Sequence, residues 1–264
     1  MSEGAAYTPR RARLSRWAGA VARSGPSRRL IPWFVRHYGV DLTAAQVPPG
    51  GFASLQEFFC RGLRPGARPV DQRAGVVISP VDATLGARGR IEEGVLLQAK
   101  GRRYRLEHLL DGHRSALEFQ GGLYCTLYLA PRDYHRVHAP AAGTVVETYR
   151  VPGSFYPVNP RAVAKVGGLF ASNERVVNLL QCEHGALAVI LVGACLVGGI
   201  RMNRQPVYGV ERGEEIGRFE FGSTVIVLAP QAAGLRLDHA GPTVRMGEKL
   251  FCAGVPARPA PAGN

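Results

Sequence analysis

The sequence predicts an α+β fold, in which N-terminal amphipathic helices precede a β-rich, barrel-like body. Its 264 residues are 46% hydrophobic, enough for one sizeable domain with a buried core. The first forty residues place apolar side chains at helical spacing. From about residue 75, short runs rich in valine, leucine and isoleucine alternate with glycine and proline, a pattern typical of strands joined by turns.

The N-terminal segment is strongly basic, with eight arginines and only one acidic residue in its first forty positions. Two apolar stripes follow helical periodicity and contain both tryptophans of the chain: Leu14, Trp17, Ala18 and Val21, then Leu30, Trp33, Phe34 and Tyr38. Aromatic and arginine-rich faces of this kind fit a helix lying in a membrane interface, so residues 1–47 are predicted to dock on a membrane. The alternative is a helical pair packed on the main domain with a solvated basic face.

The overall charge of +13 points to an anionic partner, either nucleic acid or an acidic membrane surface. No RNP, KH or helix-turn-helix pattern accompanies the charge, so we expect no nucleic-acid partner. Residues 185–200 form the longest uncharged run, but it is too short for a membrane span and holds four glycines, which favours two buried strands. Five scattered cysteines without a C-x-x-C motif, and no secretory signal, indicate reduced thiols in a cytosol-facing protein.

The predicted body covers residues 48–252. Ser54 and Glu57 form a capping-box pattern that predicts a short helix before the strands begin. The alanine-, proline- and glycine-rich residues 253–264 are expected to be a disordered tail.

Two stretches concentrate groups that could perform chemistry. "YLAPRDYHRVHAP" (128–140) contains His135 and His138, which could share a metal ion on a helix or act as acid and base. No third ligand cluster accompanies them and prolines flank them, so no metal site is predicted. "FGSTVIVL" (221–228) places Ser223 after a glycine inside a strand-like run, and Asp82 would complete an Asp–His–Ser set that can activate a hydroxyl. The G-x-S-x-G elbow of α/β hydrolases is absent.

These stretches, with five others in the same order, resemble the phosphatidylserine decarboxylase family. The others are "SLQEFFCRGLRPGARPV" (54–70), "SPVDATLG" (79–86), "QAKGRRYRLEHLL" (98–110), "FYPVNP" (155–160) and "LFASNERVV" (169–177). The resemblance covers about residues 10–252. Phe221 stands where the family usually has leucine, and Ala83 where a glycine commonly follows the aspartate.

The resemblance implies a chain that cuts itself between Gly222 and Ser223. In the family scheme His138, oriented by Asp82, takes the proton of Ser223, which attacks the Gly222 carbonyl and ends as a covalent pyruvoyl group. That cofactor forms a Schiff base with the amine of phosphatidylserine, and His135 assists the proton return after carbon dioxide leaves. The expected assembly is a heterodimer of the two chains, or a pair of such heterodimers, on the cytoplasmic face of the cell membrane.

Two other functions remain open from the residues. A serine hydrolase could use Asp82, His138 and Ser223 as a triad in an uncut chain. A lipoyl- or biotin-carrier barrel would account for "HAPAAGTVVE" (138–147), but no lysine lies at a hairpin tip there.

Overall fold

The computed structural model describes residues 17–98, 101–194, 199–220 and 223–254. The first sixteen residues, Phe221, Gly222 and most of the predicted tail therefore lie outside the described residues. Within the described part of the chain, no helix has both the length and the apolar character needed to cross a membrane.

Short helices lie mainly at the front of the chain and between strands. Residues 17–23 are helical, and 3₁₀ turns span Gly25–Leu30, Arg114–Phe119 and Gln231–Ala233. The named α-helices are α1 (Ile31–Tyr38), α2 (Leu55–Phe59), α3 (Leu106–Leu109), α4 (Pro160–Lys165) and α5 (Leu169–Ser172).

The strands are short, with bounds β1 (Ala45–Gln46), β2 (Gly62–Leu63), β3 (Val76–Ile78), β4 (Ala83–Arg90), β5 (Val95–Leu97), β6 (Arg103–Arg105), β7 (Leu123–Leu129), β8 (Arg136–His138), β9 (Gly143–Val151), β10 (Arg175–Cys182), β11 (Gly185–Gly193), β12 (Ile200–Met202), β13 (Tyr208–Val210), β14 (Glu215–Phe219), β15 (Ser223–Ala229), β16 (Leu235–Leu237), β17 (Thr243–Val244) and β18 (Lys249–Ala253).

The central element is an eight-stranded antiparallel sheet in the order β13-β9-β10-β11-β15-β7-β4-β17. Two three-stranded sheets, β12-β14-β8 and β16-β18-β3, and two antiparallel pairs, β1-β2 and β5-β6, complete the described body. The α+β class is confirmed. The barrel-like part of the prediction is wrong, because within the described residues the edge strands β13 and β17 do not pair with each other and the sheet stays open.

The sheet is covered on both faces at its middle strands. In β15, Val225 and Val227 pack into one apolar cluster, whereas Ile226 and Leu228 pack into a second cluster on the opposite face. A strand buried on both faces reads as a continuous apolar run, as "STVIVLA" does. Of the two strands predicted in the 185–200 run, the first is confirmed by β11, and most of the second lies at residues 195–198, outside the described residues.

The N-terminal region packs partly on the body. The predicted helix is confirmed: the Ser54 hydroxyl caps it by accepting from the Glu57 amide at 3.1 Å. The Glu57 carboxylate accepts from the amide of Ala53, one residue before the N-cap, and not from that of Ser54. This helix is α2, whose Phe58 and Phe59 form a buried cluster with Phe34 of α1. Thus α1 uses one face for packing.

Candidate active site

Ser223 begins β15 at the centre of the large sheet. It pairs with Gly193 at the end of β11 and with Leu129 at the end of β7. The residue is fully buried, and its hydroxyl has no hydrogen-bond partner among the residues that the structure describes. Leaving a buried polar group unpaired costs about 1–3 kcal/mol, so folding alone does not account for a serine here. The hydroxyls of Thr126 and Thr224 share this property, so Ser223 is distinguished as the candidate reactive group by its place directly after the Gly222 peptide bond.

His135 is also buried, and one of its ring nitrogens has no partner among the described residues. Its Nδ1 lies 2.9 Å from the Asp133 carbonyl oxygen, which can only accept, so Nδ1 carries the proton. Nε2 is then a lone-pair nitrogen, and within the described ranges it has no partner. The ring lies against Phe59, with centroids 4.0 Å apart. Burial lowers the pKa of His135 to about 3, so the imidazole is neutral at pH 7.

A backbone hydrogen bond ties His135 to the strand that leads to Ser223. The Phe219 amide, at the end of β14, donates to the His135 carbonyl at 3.0 Å. Phe219 lies four residues before Ser223. His135, whose Nε2 has no donor among the described residues, therefore lies next to the segment that leads to Ser223, whose hydroxyl has no acceptor among them.

His138 is buried as well, but both of its ring nitrogens have partners. Nδ1 donates to the Gly213 carbonyl at 2.7 Å, and Nε2 lies 3.0 Å from the Tyr134 hydroxyl, which donates to it. Burial lowers the pKa of His138, while the negative charges of Glu215 and Asp82 oppose that shift. The ring is therefore a neutral base held in one tautomer.

Asp82 takes part in a different set of hydrogen bonds from the predicted one. Its carboxylate accepts two hydrogen bonds from Arg68 Nε at 2.9 and 3.1 Å, a further one from Arg68 Nη2, and one from the Met246 amide at 2.8 Å. Among the described contacts it makes no hydrogen bond to His138. The structure brings Asp82 close enough for its charge to act on that imidazole, without a hydrogen-bonded Asp–His–Ser chain.

The strand geometry explains why the two histidines have different surroundings. Arg136–His138 is β8, and residues three apart in an extended segment face opposite sides. His135 therefore lies against Phe59, whereas His138 lies against Tyr134. The alternative of a metal shared on a helix does not hold, because this segment is not helical.

Sequence reasoning missed the groups that hold the predicted site residues. Tyr134 stands inside the quoted "RDYHRVH" stretch, and its position four residues before His138 was the available signal. Arg68 lies fourteen residues before Asp82, and nothing in the local pattern indicates that pairing. Phe59 lies in the predicted short helix, and no sequence pattern indicates its contact with His135.

The buried imidazole of His135 predicts a loss of stability in acid. Its pKa rises from about 3 in the folded chain to 6.5 on unfolding, so the unfolded state binds more protons between these values. Stability is therefore lost as pH falls from 6.5 towards 3. From pH 7 to pH 5 we expect the His135 contribution to the free energy of unfolding to fall by about 2 kcal/mol.

Urea unfolding of a single-chain Ser223→Ala protein, with and without His135→Gln, would measure this contribution. Asp133 acts in the opposite direction, because burial raises its pKa to about 6, so only the difference between the two proteins isolates His135. Equal losses of stability in both proteins would show that His135 is not held neutral by burial.

A fully buried serine hydroxyl at the start of β15 and two buried, oriented imidazoles at and just before β8 are the residue types found where acid–base groups activate a hydroxyl. They are consistent with an enzyme of that class. They do not by themselves name the substrate.

Comparison with known proteins identifies the family. The sequence model of the phosphatidylserine decarboxylase family matches residues 55–252. Relatives in two organisms are named phosphatidylserine decarboxylase proenzyme. The protein from Shewanella denitrificans is 40% identical, and the match covers 90% of this chain and 92% of the relative. The protein from Azoarcus sp. is 43% identical, and the match covers 90% of this chain and 89% of the relative. The relative from Bordetella pertussis is 42% identical, with the same coverage of 90% and 89%. The chain belongs to the phosphatidylserine decarboxylase family.

Proposed function

We propose that this chain converts phosphatidylserine to phosphatidylethanolamine and carbon dioxide, after cutting itself between Gly222 and Ser223. The observation that carries the proposal is the fully buried Ser223 hydroxyl, which has no partner in the described part of the chain. The word proenzyme in the relatives' names supports a chain that is processed before it acts.

Self-cleavage would begin when the Ser223 hydroxyl oxygen attacks the Gly222 carbonyl carbon. The peptide C–N bond breaks, an ester forms, and the amine of residue 223 is released. Loss of the Cα proton of residue 223 then expels the 1–222 chain as a carboxylate and leaves dehydroalanine. Addition of water and release of ammonia yields a pyruvoyl group at position 223. Every step uses only the chain's own atoms and water.

We assign the base of the first step to His138. Its Nδ1–H is held by Gly213, so the lone pair lies on Nε2, and burial keeps the ring neutral. Nε2 must first leave the Tyr134 hydroxyl before it can accept the serine proton. The Asp82 charge would stabilise the imidazolium that forms, in the manner of the carboxylate in a triad.

The residues present fit a pyruvoyl group at position 223, because consuming the serine breaks no hydrogen bond made by its hydroxyl to the described residues. The group would supply an electrophilic carbonyl for the substrate amine and an electron sink when carbon dioxide leaves. His135 would return the proton to carbon, since its Nε2 is free to carry one. The negative charges of the bound lipid would raise the pKa of His135 towards the range needed.

The two chains would stay together after the cut. The 223–264 piece contributes β15 between β11 and β7, β17 beside β4, and β18 beside β3. Central strand pairing of this kind holds without the covalent link. A heterodimer is therefore the proposed working unit.

The N-terminal helices are proposed to dock on an anionic membrane surface at the cytoplasmic face. Trp17 and Trp33 are 67% and 54% exposed, and Val21 and Leu30 are exposed beside them. Arg28, Arg29 and Arg36 are exposed in the same region. Exposed indoles next to guanidinium groups favour the boundary between headgroups and acyl chains.

Trp33→Ala should weaken binding to phosphatidylserine-containing vesicles roughly 30-fold, because burying an indole is worth about 2 kcal/mol. Sedimentation with vesicles measures the binding. The control is Leu117→Ala, a change at an exposed apolar residue outside the N-terminal helices. Binding should weaken with added salt. Unchanged binding of Trp33→Ala and Trp17→Ala, together with equal binding to neutral vesicles at high salt, would contradict this docking surface.

Point variants are preferable to removing the helices. Phe34 packs against Phe58, and Arg23 pairs with the buried Glu220 at 3.4 Å, two residues before the proposed cut. A truncation would therefore change the body as well as the docking surface.

A further inference from the structure

Arg61 is a buried cation, and one of its donors has no partner in the described part of the chain. The residue is 4% exposed, and its guanidinium lies over the Phe58 ring at 5.2 Å. Nη2 donates to the Arg132 and Asp133 carbonyls at 2.8 and 3.2 Å. Nη1 is buried and has no hydrogen-bond partner among the residues described. Burial lowers the pKa of Arg61, yet an arginine does not lose its proton in a protein, so an anion is the group that would satisfy it.

Arg61 lies in the wall of two cavities, of about 620 and 300 Å³. The smaller one is also lined by Arg132 and Arg245, and by Arg68, whose charge is neutralised by Asp82. Its other lining carboxylates are Asp41 and Asp133, and burial raises the pKa of Asp133 to about 6. The four guanidinium groups exceed the three carboxylates by one, and this small positive surplus favours an anionic occupant.

A single carbonyl oxygen links Arg61 to the candidate catalytic imidazole. The Asp133 oxygen accepts from Arg61 Nη2 at 3.2 Å and from His135 Nδ1 at 2.9 Å. The positive charge of Arg61 also lowers the pKa of His135, as expected for close neighbours. An anion bound at Nη1 would therefore lie beside the imidazole that is proposed to act on the substrate.

We propose that Arg61 Nη1 binds the phosphodiester of the substrate headgroup. The inference rests on the proposed decarboxylation, which supplies a substrate with two anionic groups, a phosphodiester and a carboxylate. A guanidinium on the carboxylate would stabilise the ground state more than a transition state that is losing that charge, and would slow the reaction. The phosphodiester keeps its charge throughout, so binding it positions the substrate without that penalty. Arginine also matches phosphate geometry with paired donors.

The test compares two soluble ligands, glycerophosphoethanolamine and free serine, by calorimetric titration of the purified, processed protein. Both have a primary amine, and they differ in which anion they carry. Arg61→Gln should weaken glycerophosphoethanolamine binding roughly 10–100-fold, the value of a hydrogen bond to a charged group, and leave serine binding unchanged. Arg64→Gln, an exposed arginine three residues away, is the matched control and should bind both ligands normally.

If Arg61→Gln does not fold, as judged by failure to self-process, Arg61→Lys replaces it in the test. Because Arg61→Lys keeps the charge, it should lose part of the glycerophosphoethanolamine affinity, less than is expected for Arg61→Gln. With short-chain phosphatidylserine, the Arg61 variant that folds should raise KM more than it lowers kcat, because the lost contact is equal in ground and transition states. Unchanged glycerophosphoethanolamine binding, or an equal loss for serine, overturns the assignment. If Arg61-dependent binding is seen but no carbon dioxide is released, the proposed function fails and the site stands. If the variant decarboxylates phosphatidylserine with an unchanged KM, the proposed phosphodiester site is contradicted and the proposed function stands.

Discussion

Ser223→Ala protein should remain one chain and release no carbon dioxide from phosphatidylserine. The change removes the only atom that can attack the Gly222 carbonyl in this scheme, and with it the source of the pyruvoyl group. The parent should separate into residues 1–222 and 223–264 on a denaturing gel. Because the Ser223 hydroxyl makes no hydrogen bond to the described residues, alanine there should cost little stability, so loss of processing would reflect chemistry.

Thr224→Val is the matched control for this prediction. Thr224 is the next residue of β15, fully buried, and its hydroxyl likewise has no partner in the described ranges. Removing that hydroxyl with little change of shape should leave processing and activity intact. Cleavage of the Ser223→Ala chain at the same bond would contradict the assignment. An uncut parent whose serine reacts with fluorophosphonates would indicate the hydrolase alternative.

Alanine variants of the two histidines should fail at different stages. His138→Ala should accumulate the full-length chain, because the serine hydroxyl loses its base. His135→Ala should still cut, at least slowly, but should turn over phosphatidylserine about 10²–10⁴-fold more slowly, the usual value of acid–base assistance. A denaturing gel and a carbon dioxide release assay on the same preparations measure both stages.

Asp82 belongs with His138 in this comparison. Asp82→Ala should also accumulate full-length chain, but it leaves Arg68 without its carboxylate, so Asp82→Asn is needed beside it. Tyr134→Phe is the control, since it removes only the hydroxyl on Nε2 of His138 and should still self-process. If His135→Ala blocks cutting while His138→Ala cuts normally, the two roles are reversed. If both variants behave like the parent, the site lies elsewhere.

Local patterns predicted the elements whose causes are local. The Ser54 and Glu57 pair predicted α2, because a capping box is made within one turn. The apolar runs predicted β11 and β15, because a strand buried on both faces has apolar residues at nearly every position of its own sequence. Composition also predicted the α+β class.

The remaining features depend on contacts between distant segments. Whether the sheet closes depends on its edge strands β13 and β17, which are too short to carry a signal. Arg68 reaches Asp82 only in the folded chain, so a triad read from residue types omitted it. The Nη1 of Arg61, which has no partner among the described residues, could not be predicted, because its burial beside two cavities is a property of the tertiary structure.

The intact mass of the denatured protein shows whether the chain cuts itself between Gly222 and Ser223 and how its new end is modified. We expect two species, residues 1–222 and a 223–264 piece lighter by one ammonia than the unmodified peptide, with no free α-amino group at its start. A 223–264 piece that begins with ordinary serine, or a single uncut chain that still decarboxylates phosphatidylserine, would contradict this expectation.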